Sequence, residues 1–239
     1  MAHSNSTESR RLARTAKEIK HYRVLMRILP IAASCLTLVV VIIYIASLFY
    51  KNFGSFTVSM NRFDNIEYSL SLSETPDFLK ATSRLNTKAS EQITNISVND
   101  LPADLDNING AHSGDNYLAY TFYLKNTGEK AFTFEYAMFI DRVTNNLDHA
   151  VRVRLYVNGD YTDYARTRDD GGGAEPGTVE FLTENTIVRK QMENFKPGDM
   201  VRFTVVIWLE GDDPECLDPL IGGEMDVSMT FSLISEAVI

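Results

Sequence analysis

Residues 201–210 read VRFTVVIWLE, and they show the most regular alternation of apolar and polar side chains in the sequence. Alternation with a period of two predicts a β-strand with one buried face. The turn sequence Lys196-Pro197-Gly198-Asp199 comes just before this strand, where the chain is expected to reverse direction. We expect one face of the strand to carry Val201, Phe203, Val205, Ile207 and Leu209, and the other face Arg202, Thr204, Trp208 and Glu210.

The same period recurs along most of the chain beyond residue 51. Asn158-Gly159 separates two such stretches, and Asn-Gly is the strongest short signal for a β-hairpin. Repeated short strands with turn sequences between them predict an all-β fold, either a jelly-roll or an immunoglobulin-like β-sandwich. Long and uneven loops disfavour a closed barrel. The clearest alternating stretches are 56–60, 66–72, 118–124, 132–140, 151–157 and 225–233.

The segment from Ile28 to Tyr50 is a run of 23 residues without a charge or a histidine. At about 1.5 Å of rise per residue, a helix of this length spans about 34 Å, enough to cross a hydrocarbon core of about 30 Å. We therefore predict a transmembrane helix at 28–50. A cleaved signal peptide is the alternative, but its apolar region is usually shorter, and Leu48-Phe49-Tyr50 lacks the small residues of a cleavage site. A buried helix of a soluble domain is a second alternative, disfavoured by the unbroken run.

Charge is distributed very unevenly around this run. Residues 1–27 contain seven basic and two acidic side chains, a balance of +5, whereas residues 51–239 contain 16 basic and 30 acidic ones, a balance of −14. The positive-inside rule then predicts a cytoplasmic basic tail at 1–27 and an extracytoplasmic domain at 51–239, attached to the plasma membrane. An acidic domain would repel phosphate, so nucleic acid is excluded as a partner.

Motifs that carry catalysis are missing from the sequence. Only His112 and His149 lie beyond the apolar run, and they form no His-Glu-x-x-His zinc motif. Cys216 has no histidine near it in sequence to activate the thiol, and the glycines at 171–173 lack the Lys-Ser/Thr ending of a phosphate-binding loop. We therefore predict that the protein is not an enzyme.

Two acidic clusters are the best candidates for a ligand site. Carboxylates on flexible loops suit Ca²⁺, which binds six to eight oxygen atoms, although neither cluster matches an EF-hand loop. Solvated acidic loops without any ion are the alternative, and no other cofactor is indicated. The first cluster contains Asp212, Asp213, Glu215 and Asp218, and the second contains Asp169, Asp170 and Glu175.

Several stretches resemble one family of exported proteins. They are YLAYTFYLKNTG at 117–128, KPGD at 196–199, and IWLEGDDPEC at 207–216 followed by Ile221-Gly222-Gly223. These stretches are similar to the TasA/camelysin-like proteins of Gram-positive bacteria, which include biofilm-matrix fibre subunits with a jelly-roll sandwich. The resemblance implies a jelly-roll domain at the envelope of a Gram-positive bacterium. Family members usually have a cleaved signal peptide, whereas this chain has the features of a retained anchor.

The combined interpretation is a membrane-anchored β-sandwich with a structural or binding role at the bacterial cell envelope. Its partners would be the membrane, envelope or matrix proteins, or a second copy joined through edge strands. We expect the strand from Ser55 to Asn61 to lie at an edge or to be donated to a neighbour; the alternative is that it pairs within its own sheet. Two other functions stay open: a camelysin-like envelope metallo-endopeptidase, although no residues here match that activity, and an accessory subunit of a membrane complex.

Overall fold

The computed structural model describes residues 28–32, 34–42, 54–60, 67–88 and 93–234. The chain divides into two compact units, Met1–Tyr50 and Lys51–Ile239. In the first unit, residues 28–32 and 34–42 are helical. No helix within the described residues is both long enough and apolar enough to span a membrane. The predicted tail at 1–27 and the remainder of the predicted transmembrane helix, at 33 and 43–50, lie outside the described residues.

The second unit is all-β, as the period-two pattern predicts. Short 3₁₀ helices occur in its loops at Val98–Asp100, Leu105–Asn107, Leu147–His149 and Asp218–Leu220. The strands are β1 (Gly54–Met60), β2 (Leu70–Ser73), β3 (Arg84–Lys88), β4 (Gly110–Ala111), β5 (Tyr117–Asn126), β6 (Phe132–Val143), β7 (Val151–Val157), β8 (Asp160–Ala165), β9 (Val179–Glu180), β10 (Thr186–Phe195), β11 (Met200–Leu209) and β12 (Met225–Leu233).

These strands form two sheets. The five-stranded sheet has the order β10-β6-β12-β1-β3. The seven-stranded sheet has the order β2-β5-β11-β7-β8-β9, with β4 also paired to β5. Among the described strands, β1 with β12 and β8 with β9 pair in parallel, and the other strand pairs are antiparallel.

The space between the sheets is filled by aromatic side chains. The Phe203 ring, from β11, lies 5.5 Å from Phe122 in its own sheet, 5.3 Å from Phe231 and 5.3 Å from Tyr136, all between ring centroids. Phe231 and Tyr136 belong to the opposite sheet, so Phe203 joins the two layers. Ring pairs at these separations add about 0.5–1.5 kcal/mol each beyond the burial of their apolar area. We call Phe122, Phe203, Phe231 and Tyr136 the aromatic interior.

Strand β11 has the two faces that its alternation predicts, but both faces are buried. Val205 faces the aromatic interior, whereas Trp208 belongs to a second apolar cluster on the outer side of the same sheet. The segment from residue 96 to residue 107 covers that outer side and contributes Leu105 to the second cluster. Glu210 fixes this covering segment, because its carboxylate accepts hydrogen bonds from Trp208 Nε1 at 2.9 Å and from the backbone N–H of Val98 at 3.1 Å.

Strand β1 lies inside the five-stranded sheet, between β12 and β3, so the prediction that it lies at an edge is wrong. It pairs in parallel with β12 from Gly54↔Met225 to Met60↔Phe231 and antiparallel with β3. Phe56 and Val58 are fully buried, so β1 contributes side chains to the core in addition to backbone hydrogen bonds to the sheet. The polar sequence of β3, RLNTK, gave no sign of the strand that covers β1.

The start of β1 requires glycine. Gly54 has a φ of +155°, and a Cβ atom there would lie 1.7 Å from the carbonyl oxygen of Met225. No side chain fits at that distance, so glycine permits the close approach of β1 to β12. Asp226, the next residue of β12, accepts hydrogen bonds from the N–H of Ser55 at 3.0 Å and from its hydroxyl at 2.7 Å. The first residues of β1 are therefore bound to β12 by both backbone and side chains.

Candidate functional site

The acidic loops meet at one end of the β-unit, which we call the Gly54 end. β6 ends there, since Val143 pairs with Met225, and Met225 pairs with Gly54. β11 ends and β7 begins at the same end, where Leu209 pairs with Val151. The loops at 144–150 and 210–224 therefore converge there, and they bring the loop at 166–178 with them through side-chain contacts.

A buried arginine organises this convergence. Arg152, the second residue of β7, is 4% exposed. Its Nη2 donates to the Asp213 carboxylate and lies 3.5 Å from Glu175 Oε2. Asp213 and Glu175 are themselves buried and come from two different loops. Removing one partner from such a buried ion pair leaves an uncompensated charge away from water, which lowers the free energy of unfolding strongly.

Glu215 is the third carboxylate of this group. One oxygen from each of Glu175, Asp213 and Glu215 lies within 4.8 Å of the others. Glu215 Oε1 accepts a hydrogen bond from the N–H of Asp169 at 3.2 Å, whereas Glu215 Oε2 is buried with no hydrogen-bond partner in the part of the chain that the structure describes. We call Glu175, Asp213 and Glu215 the carboxylate cluster.

The carboxylate cluster has more negative charge than Arg152 balances. The close approach of the Asp213 carboxylate, followed by burial, raises the pKa of Glu215, so this carboxyl takes up a proton more readily than an ordinary one. A cation with a preference for oxygen ligands would balance the same charge. Three carboxylates suit Ca²⁺ in chemical type, but the guanidinium of Arg152 already occupies one side of the cluster and repels a metal ion. The Ca²⁺ site therefore stays a prediction.

The structure selects among the predicted ligands. It brings together Asp213 and Glu215 from the first acidic cluster and Glu175 from the second. Asp212 instead accepts a hydrogen bond from the Ser97 hydroxyl at 2.8 Å, and the exposed Asp218 begins the 3₁₀ helix Asp218–Leu220. Arg152, which holds the group together, was not expected, because its position in an alternating strand indicated a solvent-facing side chain.

An ion pair and a histidine–carboxylate contact hold the glycine-rich loop at 166–178 against the rest of the β-unit. Arg166 binds the buried carboxylate of Asp148, and His149 Nδ1 lies 2.9 Å from Asp169 Oδ1. His112 makes its own local contact, with Nδ1 2.8 Å from the Gly110 carbonyl oxygen. Nδ1 of each of the two histidines beyond the apolar run thus has a hydrogen-bond partner, whereas Nε2 of His112 is buried with no such partner among the described residues.

Cys216 sits beside the carboxylate cluster without joining it. The side-chain amide of Asn95 approaches its sulfur at 3.7 Å. The thiol is half-buried, and burial raises its pKa, which lowers the fraction of reactive thiolate at neutral pH. This environment favours a packing role for Cys216 over a nucleophilic one.

Comparison with known proteins gives only distant structural likenesses. No protein-family model matches the chain, and no curated protein matches it. A β-glucosidase from Kluyveromyces marxianus in complex with glucose aligns with 70% of this chain and 16% of its own, at 10% identity and a TM-score of 0.26. AvmM, which catalyses macrocyclization in alchivemycin A biosynthesis, aligns with 75% of this chain and 96% of its own, at 10% identity and a TM-score of 0.25. The GH31 α-xylosidase from Xanthomonas citri aligns with 70% of this chain and 16% of its own, at 10% identity and a TM-score of 0.25. At these TM-scores the likenesses assign neither a fold family nor an activity.

Proposed function

We propose that this chain is a single-pass protein of the plasma membrane of a Gram-positive bacterium, with its N-terminus in the cytoplasm and one jelly-roll domain displayed outside. Its role is structural or binding, through surface contact at the cell envelope. The observation that carries the proposal is the charge asymmetry of +5 and −14 around the 23-residue uncharged run. The all-β unit of the following residues is consistent with a displayed module.

The order of the longer strands supports the jelly-roll assignment. A jelly roll builds two sheets from eight strands, in the order first-last-third-sixth and second-seventh-fourth-fifth. The orders β1-β12-β6-β10 and β5-β11-β7-β8 correspond to this arrangement, with the short strands added at the sheet edges. One departure is the parallel pairing of β1 with β12, since neighbouring strands of a regular jelly roll are antiparallel.

Contact with a partner strand is favoured at β3. Among the described strands, the five-stranded sheet ends at β3 on one side and at β10 on the other. β10 has two register shifts against β6 and a positive φ at Asn194, and irregularity of this kind protects an edge. β3 pairs regularly with β1 and exposes Arg84 and Lys88. A basic edge on an acidic protein attracts an acidic strand, either from a second copy or from a matrix protein.

Protease treatment of intact cells tests the membrane topology. Protease added outside should remove the region beyond Lys51 and leave an N-terminal tag protected. A tag that is also degraded would contradict the orientation. Mature protein that begins between Ser47 and Ser55 would show that the anchor is cleaved.

Charge reversal tests the contact surface. Analytical ultracentrifugation of the full chain in detergent should show self-association that is lost in the double variant Arg84→Glu/Lys88→Glu. The matched control is Lys190→Glu on β10, which should associate like the wild type. Equal behaviour of both variants would contradict the assignment of the contact to β3.

A further inference from the structure

The parallel pairing of β1 and β12 has a mechanical consequence. Both strands begin at the Gly54 end, where Gly54 pairs with Met225, and both run to the opposite end, where Met60 pairs with Phe231. The chain from the predicted anchor therefore enters β1 at one end of the β-unit. The chain beyond β12 leaves from the other end, after Leu233.

Two directions of pulling load this pair differently. A force between the chain before Gly54 and the chain after Leu233 slides β1 along β12, so all the hydrogen bonds of the pair resist together. A force between the chain before Gly54 and the loop before Met225 opens the pair from one end, so the hydrogen bonds break one after another. Breaking many bonds in a single step requires a higher barrier to forced unfolding than breaking them in sequence.

Side chains strengthen the pair at the point where force would enter. Asp226 binds both the N–H and the hydroxyl of Ser55, and Arg142 Nε donates to Asp226 Oδ2 at 2.9 Å. Arg142 also donates to Glu224 at 2.9 Å, so one guanidinium holds two carboxylates beside the start of β12. Phe56 adds a fully buried side chain that must leave the core before β1 can slide. β3 holds β1 from its other side.

We infer that the β1–β12 pair is a shear-loaded latch, which resists pulling force between the N-terminal anchor and the chain that leaves β12 after Leu233. The inference rests on the proposed function only for the identity of the anchored end. The resistance itself belongs to the strand geometry and exists whether or not the anchor is retained.

Single-molecule force spectroscopy on the full chain in detergent micelles tests the latch. In a background of Cys35→Ser and Cys216→Ser, handles are attached at Asn52→Cys together with Ser235→Cys for sliding, or at Asn52→Cys together with Leu217→Cys for opening from the end. At equal pulling speed, the mean unfolding force should be several-fold higher in the sliding arrangement. The Leu217 side chain is 62% exposed, so its replacement should leave the melting temperature unchanged.

Equal unfolding forces in the two arrangements, with equal melting temperatures of the two variants, would overturn the latch. A higher force in the sliding arrangement supports it even if the protease test finds a cleaved anchor. In that case the proposed membrane attachment is contradicted and the latch is supported, so the two proposals can be distinguished.

Discussion

The aromatic interior and the carboxylate cluster are both buried, but they are built in opposite ways. The interior consists of neutral rings at alternate positions of neighbouring strands, so the ladder places them automatically. The carboxylate cluster collects charges from two loops around one strand arginine, and Glu215 lies 63 residues beyond that arginine, Arg152, in the sequence. The interior therefore stabilises the fold at any pH at which the buried Tyr136 is neutral, because its pKa is raised to about 12 by burial, whereas the stabilisation by the cluster depends on which of its groups are charged.

The largest effect is expected in the aromatic interior. Phe203→Ala removes a fully buried ring that contacts both sheets, and we expect a loss of about 3–5 kcal/mol in the free energy of unfolding. Urea denaturation followed by circular dichroism measures this loss. The control Met200→Ala changes a half-exposed side chain of the same strand and should cost less than about 1 kcal/mol. Similar costs for the two variants would contradict the assignment of Phe203 to the junction of the sheets.

Loss of Arg152 is expected to have the next largest effect. Arg152→Met keeps much of the apolar volume but leaves Asp213 and Glu175 buried without their cation, which we expect to cost about 3 kcal/mol at neutral pH. Arg168→Met is the matched control, because the Arg168–Asp170 pair lies at the surface and contributes less than about 1 kcal/mol. If the two variants unfold at the same urea concentration, Arg152 does not hold the loops together.

Glu215→Gln should change the pH dependence of stability. Folding raises the pKa of the Glu215 carboxyl above its usual value of 4.5, so the folded state binds the proton more tightly than the unfolded state. The resulting stabilisation is fully present below pH 4.5 and is lost as the pH rises through the folded-state pKa. Over this window the wild type should lose stability relative to the glutamine variant, which cannot titrate at this position. Urea denaturation across a pH series measures the difference, with Glu184→Gln as an exposed control. Parallel pH curves for wild type and Glu215→Gln would contradict the raised pKa.

The smallest effect is expected from calcium. The guanidinium of Arg152 already offsets part of the negative charge and occupies one side of the cluster, so millimolar Ca²⁺ should shift the free energy of unfolding by less than about 0.5 kcal/mol relative to chelator. Differential scanning calorimetry measures the shift. A clear stabilisation by Ca²⁺ that persists in Asp218→Asn and disappears in Glu175→Gln would contradict this expectation and establish a cation site in the cluster.

The parts of the fold that follow from local alternation could be predicted from the sequence. Val205 and Trp208 lie on opposite faces of β11 because side chains alternate along any strand. The outer face of β11 is buried only because the segment at 96–107 covers it. The turn-rich sequence of that segment has no alternation of apolar and polar residues from which this cover could be predicted. β3 was missed for a related reason, since RLNTK becomes a strand only because β1 offers it a partner.

The sequence predicted that the candidate site would consist of acidic loop residues, but not which individual residues meet there. Acidic loops at 169–175 and 212–218 were identified, yet which carboxylates meet depends on the order of strands in the sheet. Arg152 carried no local signal, because an arginine between valines in a strand usually faces solvent. Its burial follows from the loop that brings Asp213 over it, and sequence spacing contains no information about that contact.

The hydrogen bond between Ser55 and Asp226 joins residues 171 positions apart, and this separation governs how the domain is made. A ribosome synthesises β1 early and β12 last among the described strands, so β3 can pair with one edge of β1 soon after synthesis, whereas the edge that faces β12 stays unpaired until nearly the whole chain has emerged. Folding that depends on such distant contacts is slow, and an exposed strand invites association with other chains during the delay. We therefore expect production of this domain to require a chaperone or rapid translocation. A domain whose sheets close through strands that are neighbours in sequence should depend on them less.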